Sequence, residues 1–187
     1  MTPRLLCHPG TEALPQDLPE RVRACLDALG LLGPAFQVDE ETRYHAGPAL
    51  LEQITFLGCA PDIELEPPAA QTLAEAARAG RFCHWRLTPL YPRPRLRRDP
   101  LAAPRCPACR QALASLTAAG EAATLRCPAC GAEAPPGAWR WKQYGAHARF
   151  FLELVGVHAG EAVPGETLLG ALEEITGGRW GFAYVRD

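Results

Sequence analysis

Apolar residues recur at helical spacing early in the chain, directly after a helix-start signal at residues 17–20. Asp17 supplies an acidic N-cap, Pro19 lies in the first turn, and Glu20 follows the cap by three residues. The pattern predicts an amphipathic packing helix that ends at Gly30 or Gly33. Its apolar face carries Leu18, Val22, Cys25, Leu26 and Leu29. The preceding residues, 1–16, are rich in proline and glycine and are predicted to run over the surface.

Beyond Tyr44 the pattern changes to strand, helix and strand. Residues 50–57 form a Leu-, Ile- and Phe-rich run that predicts a buried strand. An alanine-rich stretch over 69–79 follows two prolines and predicts a helix. Residues 81–87 alternate in polarity and predict a second strand.

The carboxyl end shows the same order of elements. It predicts a strand over 148–157, a helix over 166–176 and a strand over 180–185. At an offset of 100 residues the two stretches align without a gap, with the matches Tyr44/Tyr144, Ala46/Ala146, Phe82/Phe182 and Arg86/Arg186. Two interpretations stay open, an ancient duplication or two unrelated stretches of common design. We therefore predict an α+β fold, in which two similar strand-helix-strand halves form one body.

Two short cysteine pairs lie between these halves. Cys106 and Cys109 enclose Pro-Ala, Cys127 and Cys130 enclose the same dipeptide, and 17 residues separate the pairs. Each Cys-x-x-Cys turn aims two sulfurs at one point, and two such turns complete a four-sulfur tetrahedron suited to zinc. The sequence thus predicts one zinc ion held by these four cysteines. Gly131 follows the second pair, where a left-handed backbone lets amides point at sulfur, whereas Arg110 stands at the matching place in the first.

The arrangement resembles a zinc ribbon over residues 102–138. This resemblance implies a β-hairpin between the two cysteine pairs, with arms at 111–119 and 121–126 on either side of Gly120. Because four cysteines close the coordination shell, the resemblance implies a structural zinc. The second pair also resembles a rubredoxin loop, and tetrahedral sulfur ligation accepts iron as well.

These patterns divide the chain into three parts. Residues 1–90 form the amino-terminal part of the body, 102–138 the inserted ribbon, and 139–187 the carboxyl-terminal part. Prolines in 91–100 remove backbone donors and predict an exposed strap that leads into the ribbon.

Charge is strongly segregated along the chain, although the net charge is only −2. Residues 1–80 hold 5 basic and 12 acidic side chains, 81–149 hold 12 and 3, and 150–187 hold 2 and 6. A basic module between acidic flanks indicates either an anionic partner or docking on an acidic protein surface. The partner is therefore a nucleic acid or a protein, and the sequence leaves the choice and the oligomeric state open.

Nucleic-acid binding is the first hypothesis, because arginine forks suit phosphate oxygens and tryptophan faces suit unstacked bases. The predicted contacts are Arg93, Arg95, Arg97, Arg98, Arg110, Trp139 and Arg140. For Trp139 the alternative is that it shares a face with Trp141 and anchors the ribbon to the body. A protein-interaction adaptor is the second hypothesis for the whole chain.

An enzyme is the weakest hypothesis, and no catalytic residue is assigned. The chain has no phosphate-binding glycine loop, Gly-x-Ser-x-Gly elbow or His-Glu-x-x-His helix. A site between the two halves would draw on Cys59, His84 or His158. Cys83 and His84 are neighbours on a predicted strand and point to opposite faces, so they do not form a dyad.

No apolar stretch reaches the length of a membrane span, and the amino terminus lacks the apolar region of a signal peptide. We therefore expect a cytoplasmic protein without membrane contact. In a reducing compartment, paired cysteines indicate metal ligands rather than disulfides.

Overall fold

The computed structural model describes residues 1–57, 63–113 and 124–186. Both helices and strands are present, which confirms the α+β class. In the described parts of the chain, the largest sheet has six strands, and each strand pairs antiparallel with the strands next to it. From one edge to the other, these are β12 (Trp180–Arg186), β1 (Pro3–Pro9), β10 (Leu152–Val155), β5 (His84–Leu87), β3 (Glu41–Ala46) and β2 (Leu32–Val38).

Three two-stranded ladders, four α-helices and a short 3-10 helix, Pro136–Ala138, complete the described elements. The ladders are β4 (Ile54–Phe56) with β11 (Ala162–Pro164), β6 (Arg95–Arg98) with β9 (Gly145–Ala148), and β7 (Leu125–Arg126) with β8 (Glu133–Ala134). The helices are α1 (Leu18–Ala28), α2 (Leu50–Gln53), α3 (Leu73–Arg78) and α4 (Glu166–Thr176). No helix in the described residues is both long and apolar enough to span a bilayer.

The first strand corrects the prediction for residues 1–16. Rather than running over the surface, Pro3–Pro9 lies inside the large sheet, and Leu5 pairs with Leu154 on one side and Tyr184 on the other. Leu5 and Leu6 are fully buried. Pro3 and Pro9 lie at the two ends of the strand, where a missing backbone donor costs least. Because the residues paired with β1 lie 145 to 183 positions away in the sequence, its local pattern did not reveal its central position.

Helices α1 and α4 pack on one face of the sheet and confirm the two amphipathic predictions. Leu18, Val22 and Leu26 of α1 are fully buried, as are Leu168 and Leu172 of α4. They share one apolar core with sheet residues that include Trp85, Leu152 and Leu154. This core covers only one face of the sheet, which leaves the opposite face to other elements.

The strand predicted over 50–57 and the helix predicted over 69–79 are wrong at their amino-terminal ends. Leu50–Gln53 forms the helical turn α2, and only Ile54–Phe56 is extended. Helix α3 begins at Leu73 because the Thr72 side chain caps the Glu75 N–H while the Glu75 carboxylate returns to the Thr72 N–H. The capping pair, rather than the two upstream prolines, therefore sets the helix start.

The leading strands of the two stretches related by the 100-residue offset lie in different sheets, although their final strands, β5 and β12, both belong to the large sheet. Strand β4 pairs with β11, whereas its counterpart at the offset, β10, lies in the interior of the large sheet. Their order of elements is similar, but their positions differ, and the duplication remains a hypothesis.

The ladder of β6 and β9 lies on the opposite face of the large sheet. Ala146 and Ala148 of β9 pack with Leu6, Ala183 and Val185 of the sheet. The exposed strap predicted over 91–100 is therefore wrong for 95–98, which are paired in β6. The prolines at 92, 94 and 100 flank this segment without interrupting it, so its backbone N–H groups remain free to pair.

Candidate metal centre

The sulfur atoms of the four paired cysteines lie within 4.8 Å of one another. Cys106 Sγ is 3.8 Å from Cys130 Sγ, and Cys109 Sγ is 3.7 Å from Cys127 Sγ. A tetrahedral site with metal–sulfur bonds of about 2.3 Å places its sulfurs about 3.8 Å apart, whereas a disulfide requires about 2.05 Å. The four cysteines thus come together as predicted, at the spacing of a metal site.

The two cysteine turns share one backbone conformation. In the first, the Arg110 N–H donates to the Cys106 carbonyl at 3.0 Å, and in the second, the Gly131 N–H donates to the Cys127 carbonyl at 2.8 Å. The residue after each second cysteine is left-handed, with φ 63° at Arg110 and 73° at Gly131. The first turn therefore adopts the expected geometry without glycine, although a non-glycine residue there costs about 1–2 kcal/mol.

Arg105, which directly precedes the first cysteine turn, supports the strained backbone at Arg110. Arg105 lies next to Cys106, and its guanidinium donates to the Arg110 carbonyl at 3.3 Å. Arg105 also pairs across the turn with Ala112, just as Arg126 pairs with Glu133 across the second turn. The described hairpins are therefore the turns themselves. The predicted hairpin arms at 111–119 and 121–126 fall mostly in residues 114–123, outside the described part of the chain.

Backbone amides favour a thiolate at Cys106. The N–H groups of Cys109 and Ala108 lower the pKa of the Cys106 thiol to about 7, and the Ala108 nitrogen lies 3.4 Å from its sulfur. At Cys109 the Gln111 N–H acts in the same direction, but desolvation and the neighbouring sulfurs together raise the pKa to about 12. A divalent cation at the centre reverses this balance, because it stabilises negative charge on all four sulfurs. The donor set therefore suits a soft metal ion.

Two buried tryptophans pack against the cysteine cluster, as does Leu96 of β6. Cys106 and Cys127 are fully buried, whereas Cys109 and Cys130 are exposed. Trp139 is 3% exposed and packs in the same cluster as the two buried cysteines, together with Trp141. Both indole N–H groups are bonded inward, to the carbonyls of Ala134 and Pro136.

The position of Trp139 favours one of its two interpretations. Only 3% of the residue is exposed and it packs with the two buried cysteines, as expected of an anchor rather than an exposed stacking platform. The other predicted nucleic-acid contacts divide into two groups. Arg93, Arg95, Arg110 and Arg140 are exposed, whereas Arg97 and Arg98 are half-buried.

Arg97 points into the body and bonds Glu153 at 2.9 Å. Glu153 is fully buried in β10 and also accepts from Arg4 at 2.6 Å and Arg86 at 3.2 Å. Sequence reasoning missed this carboxylate. A lone acidic residue between two leucines of the strand predicted over 148–157 was the available signal.

Arg105 and Arg140 form an antiparallel pair that sequence reasoning also missed. The Arg105 N–H donates to the Arg140 carbonyl at 3.0 Å, and the Arg140 N–H donates back at 3.2 Å. Residues so paired carry their side chains on the same side of the ladder, with Cα atoms about 5.5 Å apart. Because the two arginines are 35 positions apart in the sequence, only the fold brings them together.

Of the three residues named for an enzyme site, the structure describes only the two histidines. Cys59 lies outside the described residues, His158 is exposed and His84 is buried. Burial lowers the pKa of His84 to about 4, and its Nδ1 lies 3.1 Å from the Phe82 carbonyl. Burial likewise raises the pKa of Cys83 to about 12, which keeps that thiol protonated and inert.

Comparison of the chain with protein-family models, curated proteins and solved structures found no match. Its function must therefore be argued from its own residues.

Replacing Gly131 with alanine tests the left-handed turn after the second cysteine pair. A Cβ at this position meets no atom within 4 Å, so the substitution acts only through the positive φ. We expect a loss of about 1–2 kcal/mol, or roughly 5- to 30-fold in zinc affinity. Competition with a chromophoric chelator measures the affinity.

Gly170 provides the matched control, because it lies within α4 and its Cβ also meets open space. Gly170→Ala should leave zinc affinity unchanged and raise stability slightly, since alanine favours the helix. Equal zinc affinity for Gly131→Ala and wild type would contradict the role assigned to the left-handed turn.

Proposed function

We propose that this protein holds one structural zinc ion in its four cysteines and binds nucleic acid through exposed arginines around the first cysteine turn. Four cysteine ligands fill a tetrahedral shell and leave no open position for a substrate or water, which supports a structural role. The proposed ribbon, residues 102–138, forms the inserted part of the chain. The carboxyl-terminal part of the body, which begins at residue 139, supplies the tryptophan anchor.

Zinc is the proposed metal because the site is sulfur-rich and partly exposed. Cys109 and Cys130 lie at the surface, where a redox-active iron centre would meet solvent and oxidant. Zinc has no redox chemistry and tolerates this exposure. Iron remains the chemical alternative, and metal analysis of the purified protein separates the two.

The pairing of Arg105 with Arg140 is the observation that carries the nucleic-acid proposal. Like charges directly opposite each other on a ladder destabilise it. Both side chains are exposed, Arg110 lies on the same turn, and none of the three forms an ion pair within the described residues. A phosphate oxygen between these guanidiniums would relieve the repulsion and accept charge-assisted hydrogen bonds. Because Trp139 is buried, the contacts proposed are to the phosphate backbone and carry no sequence information.

Arg93 and Arg95 extend the proposed surface along the chain that leads to the metal site. Both are exposed, and the Arg95 guanidinium lies 4.2 Å above the Tyr91 ring, which holds it in place. Arg97 and Arg98 are half-buried, so they contribute less to a surface contact.

Fluorescence anisotropy of labelled single-stranded and duplex DNA and RNA across a salt series tests the proposal. We expect micromolar binding at low salt that weakens steeply as salt rises, since phosphate contacts release counterions. The double variant Arg105→Gln/Arg140→Gln should weaken binding by about tenfold or more and reduce the logarithmic salt slope on single strands by about 1.4.

Arg21→Gln/Arg23→Gln is the matched control, because it removes the same charge from exposed positions of α1. The control should bind as wild type does. No binding at low salt, or an equal loss in both double variants, would refute the proposed surface.

A protein-docking adaptor is the second candidate, and a cleft of about 450 Å³ with a mixed polar and apolar lining favours it. Leu51 and Leu65 line this cleft and are 59% and 38% exposed. Exposed leucines beside a concave surface are typical of docking sites. Full-length protein that fails to bind nucleic acid would direct the search to this cleft.

A further inference from the structure

A second cleft, of about 470 Å³, lies where the metal site joins the body. It is bounded by the end of β1 with the residues that follow it, by β9, and by the segment that connects the metal site to β9. Trp139 and Trp141 line it, but none of the four cysteines does. The cleft is therefore a separate feature, within the size range of small-molecule sites.

Three glycines make room for the rings around this cleft. A Cβ on Gly137 would lie 2.9 Å from His147 Nδ1, and a Cβ on Gly145 would lie 2.9 Å from the Trp141 ring. A Cβ on Gly181 would lie 3.0 Å from His8 Nε2. None of these glycines has a positive φ. Glycine is therefore needed at these positions because a side chain would collide with the neighbouring rings, and not because the backbone conformation requires it.

The cleft presents two cations that no carboxylate neutralises among the described residues. The Arg149 guanidinium donates to the backbone carbonyls of Tyr91 at 2.9 Å and Glu12 at 3.2 Å, which fixes its position without an ion pair. Lys142 is exposed at the rim. Glu12 is the acidic residue that lines the cleft. Burial lowers the pKa of His147, and the nearby Glu12 carboxylate raises it by a smaller amount, so the net shift is downward.

Two imidazoles complete the polar lining. Burial lowers the pKa of both His8 and His147, so both rings are neutral at pH 7. His8 Nδ1 lies 3.3 Å from the Pro9 carbonyl, where it acts as a donor and leaves Nε2 as an acceptor. A neutral imidazole acceptor suits a hydroxyl group. No three ligand groups here meet the geometry of a metal site within the described residues, where the four cysteines form the only such group.

We infer that this cleft binds a phosphate monoester with a hydroxyl-bearing sugar, of mononucleotide size. Arg149 and Lys142 donate hydrogen bonds to the dianionic phosphate, and His8 Nε2 accepts a hydrogen bond from a sugar hydroxyl. A free nucleotide and the 5′-phosphorylated end of a nucleic-acid strand share this chemistry. The site is distinct from the arginine surface proposed above and does not depend on it.

Isothermal titration of the zinc-loaded full-length protein tests the cleft with AMP, inorganic phosphate and matched oligonucleotides with 5′-phosphate or 5′-hydroxyl. We expect AMP to bind with a submillimolar Kd, and Lys142→Gln to weaken it by about tenfold through the loss of one charge-assisted contact. Gly137→Ala should weaken it similarly, because its Cβ crowds His147. Arg81→Gln, which removes an exposed charge elsewhere, is the control and should bind AMP as wild type does.

The arms of the titration identify the source of the phosphate. Preference for the 5′-phosphate oligonucleotide over its 5′-hydroxyl form supports a strand end, and binding of AMP without that preference supports a free nucleotide. Arg105→Gln/Arg140→Gln should leave AMP affinity unchanged, so this site and the arginine surface fail independently. Absence of heat with all of these probes, or equal AMP affinity for Lys142→Gln and Arg81→Gln, would overturn the inference. Circular dichroism and zinc content confirm that each variant is folded.

Discussion

Replacing Cys127 with serine is expected to abolish stoichiometric zinc binding and to open the tryptophan cluster around the metal site. Cys127 is fully buried, and its sulfur lies 3.7 Å from that of Cys109. A structural zinc ion contributes about 10–16 kcal/mol of binding free energy that also stabilises its fold. The small apolar cluster of Leu113, Leu125 and the two tryptophans cannot replace a term of that size.

Two readouts follow from the packing. Metal analysis should give one zinc per chain for wild type and none for Cys127→Ser. Tryptophan fluorescence should shift to longer wavelength, because Trp139 and Trp141 leave an apolar environment. The large sheet retains its own core, so far-UV circular dichroism should change little.

Cys25→Ser is the matched control, since Cys25 is half-buried on α1 and belongs to no metal cluster in the described residues. It should retain full zinc content and wild-type fluorescence. Zinc retained by Cys127→Ser would contradict the assignment of the four ligands. Loss of the whole cooperative unfolding transition would instead show that the metal site and the body fold as one unit.

Replacing Glu153 with alanine is expected to destabilise the fold by about 3–5 kcal/mol, because it leaves arginines without their buried partner. The Glu153 carboxylate is fully buried and bonded to Arg4, Arg86 and Arg97, from three different strands. These bonds tie β1, β5 and β10 of the large sheet to β6, which leads toward the metal site. Urea unfolding at neutral pH measures the loss.

Glu41→Ala is the control for this prediction. Glu41 also bonds Arg86, but its side chain is 45% exposed. An exposed ion pair contributes at most about 1 kcal/mol, so the control should lose far less stability than Glu153→Ala. Equal losses for the two variants would contradict the role assigned to burial.

The ion pairs of Glu153 with its three arginines predict that the free energy of unfolding depends on pH. Burial acts to raise the pKa of Glu153, but the charges of Arg97, Arg4 and Arg86 outweigh it and hold the pKa below its ordinary value of 4.5. The pKa of Glu153 is therefore lower in the folded state than in the unfolded state. The ion pairs stabilise the fold fully at pH values above the pKa of the unfolded state, and this stabilisation is lost as the pH falls through the pKa of the folded state. The difference in unfolding free energy between wild type and Glu153→Gln should therefore be constant near neutral pH and shrink below pH 4.5. A constant difference throughout would contradict the pKa shift.

Local signals in the sequence were sufficient for the metal site and for the amphipathic helices. Cysteine spacing alone identified all four sulfurs, because each Cys-x-x-Cys turn positions two ligands without help from the rest of the fold. Helix α4 has the predicted bounds, 166–176, since its apolar spacing and the following Gly177 are both local features.

Features that depend on distant partners could not be predicted in this way. The strand β1 is central only because β10 and β12 pair with it, and its own residues give no sign of those partners. The same holds for Arg105 with Arg140, and for Glu153 with its three arginines. The sequence left two interpretations of Trp139 open, because the burial of its ring depends on the cluster that it forms with Trp141, Cys106 and Cys127.

X-ray absorption spectroscopy of the purified protein tests the central claim most directly. The account predicts a zinc edge and four sulfur neighbours at about 2.3 Å, with no nitrogen or oxygen in the first coordination shell. An iron edge, or a shell that includes nitrogen or oxygen, would contradict a closed four-cysteine zinc site. So would metal-free protein in which the four cysteines are joined as disulfides.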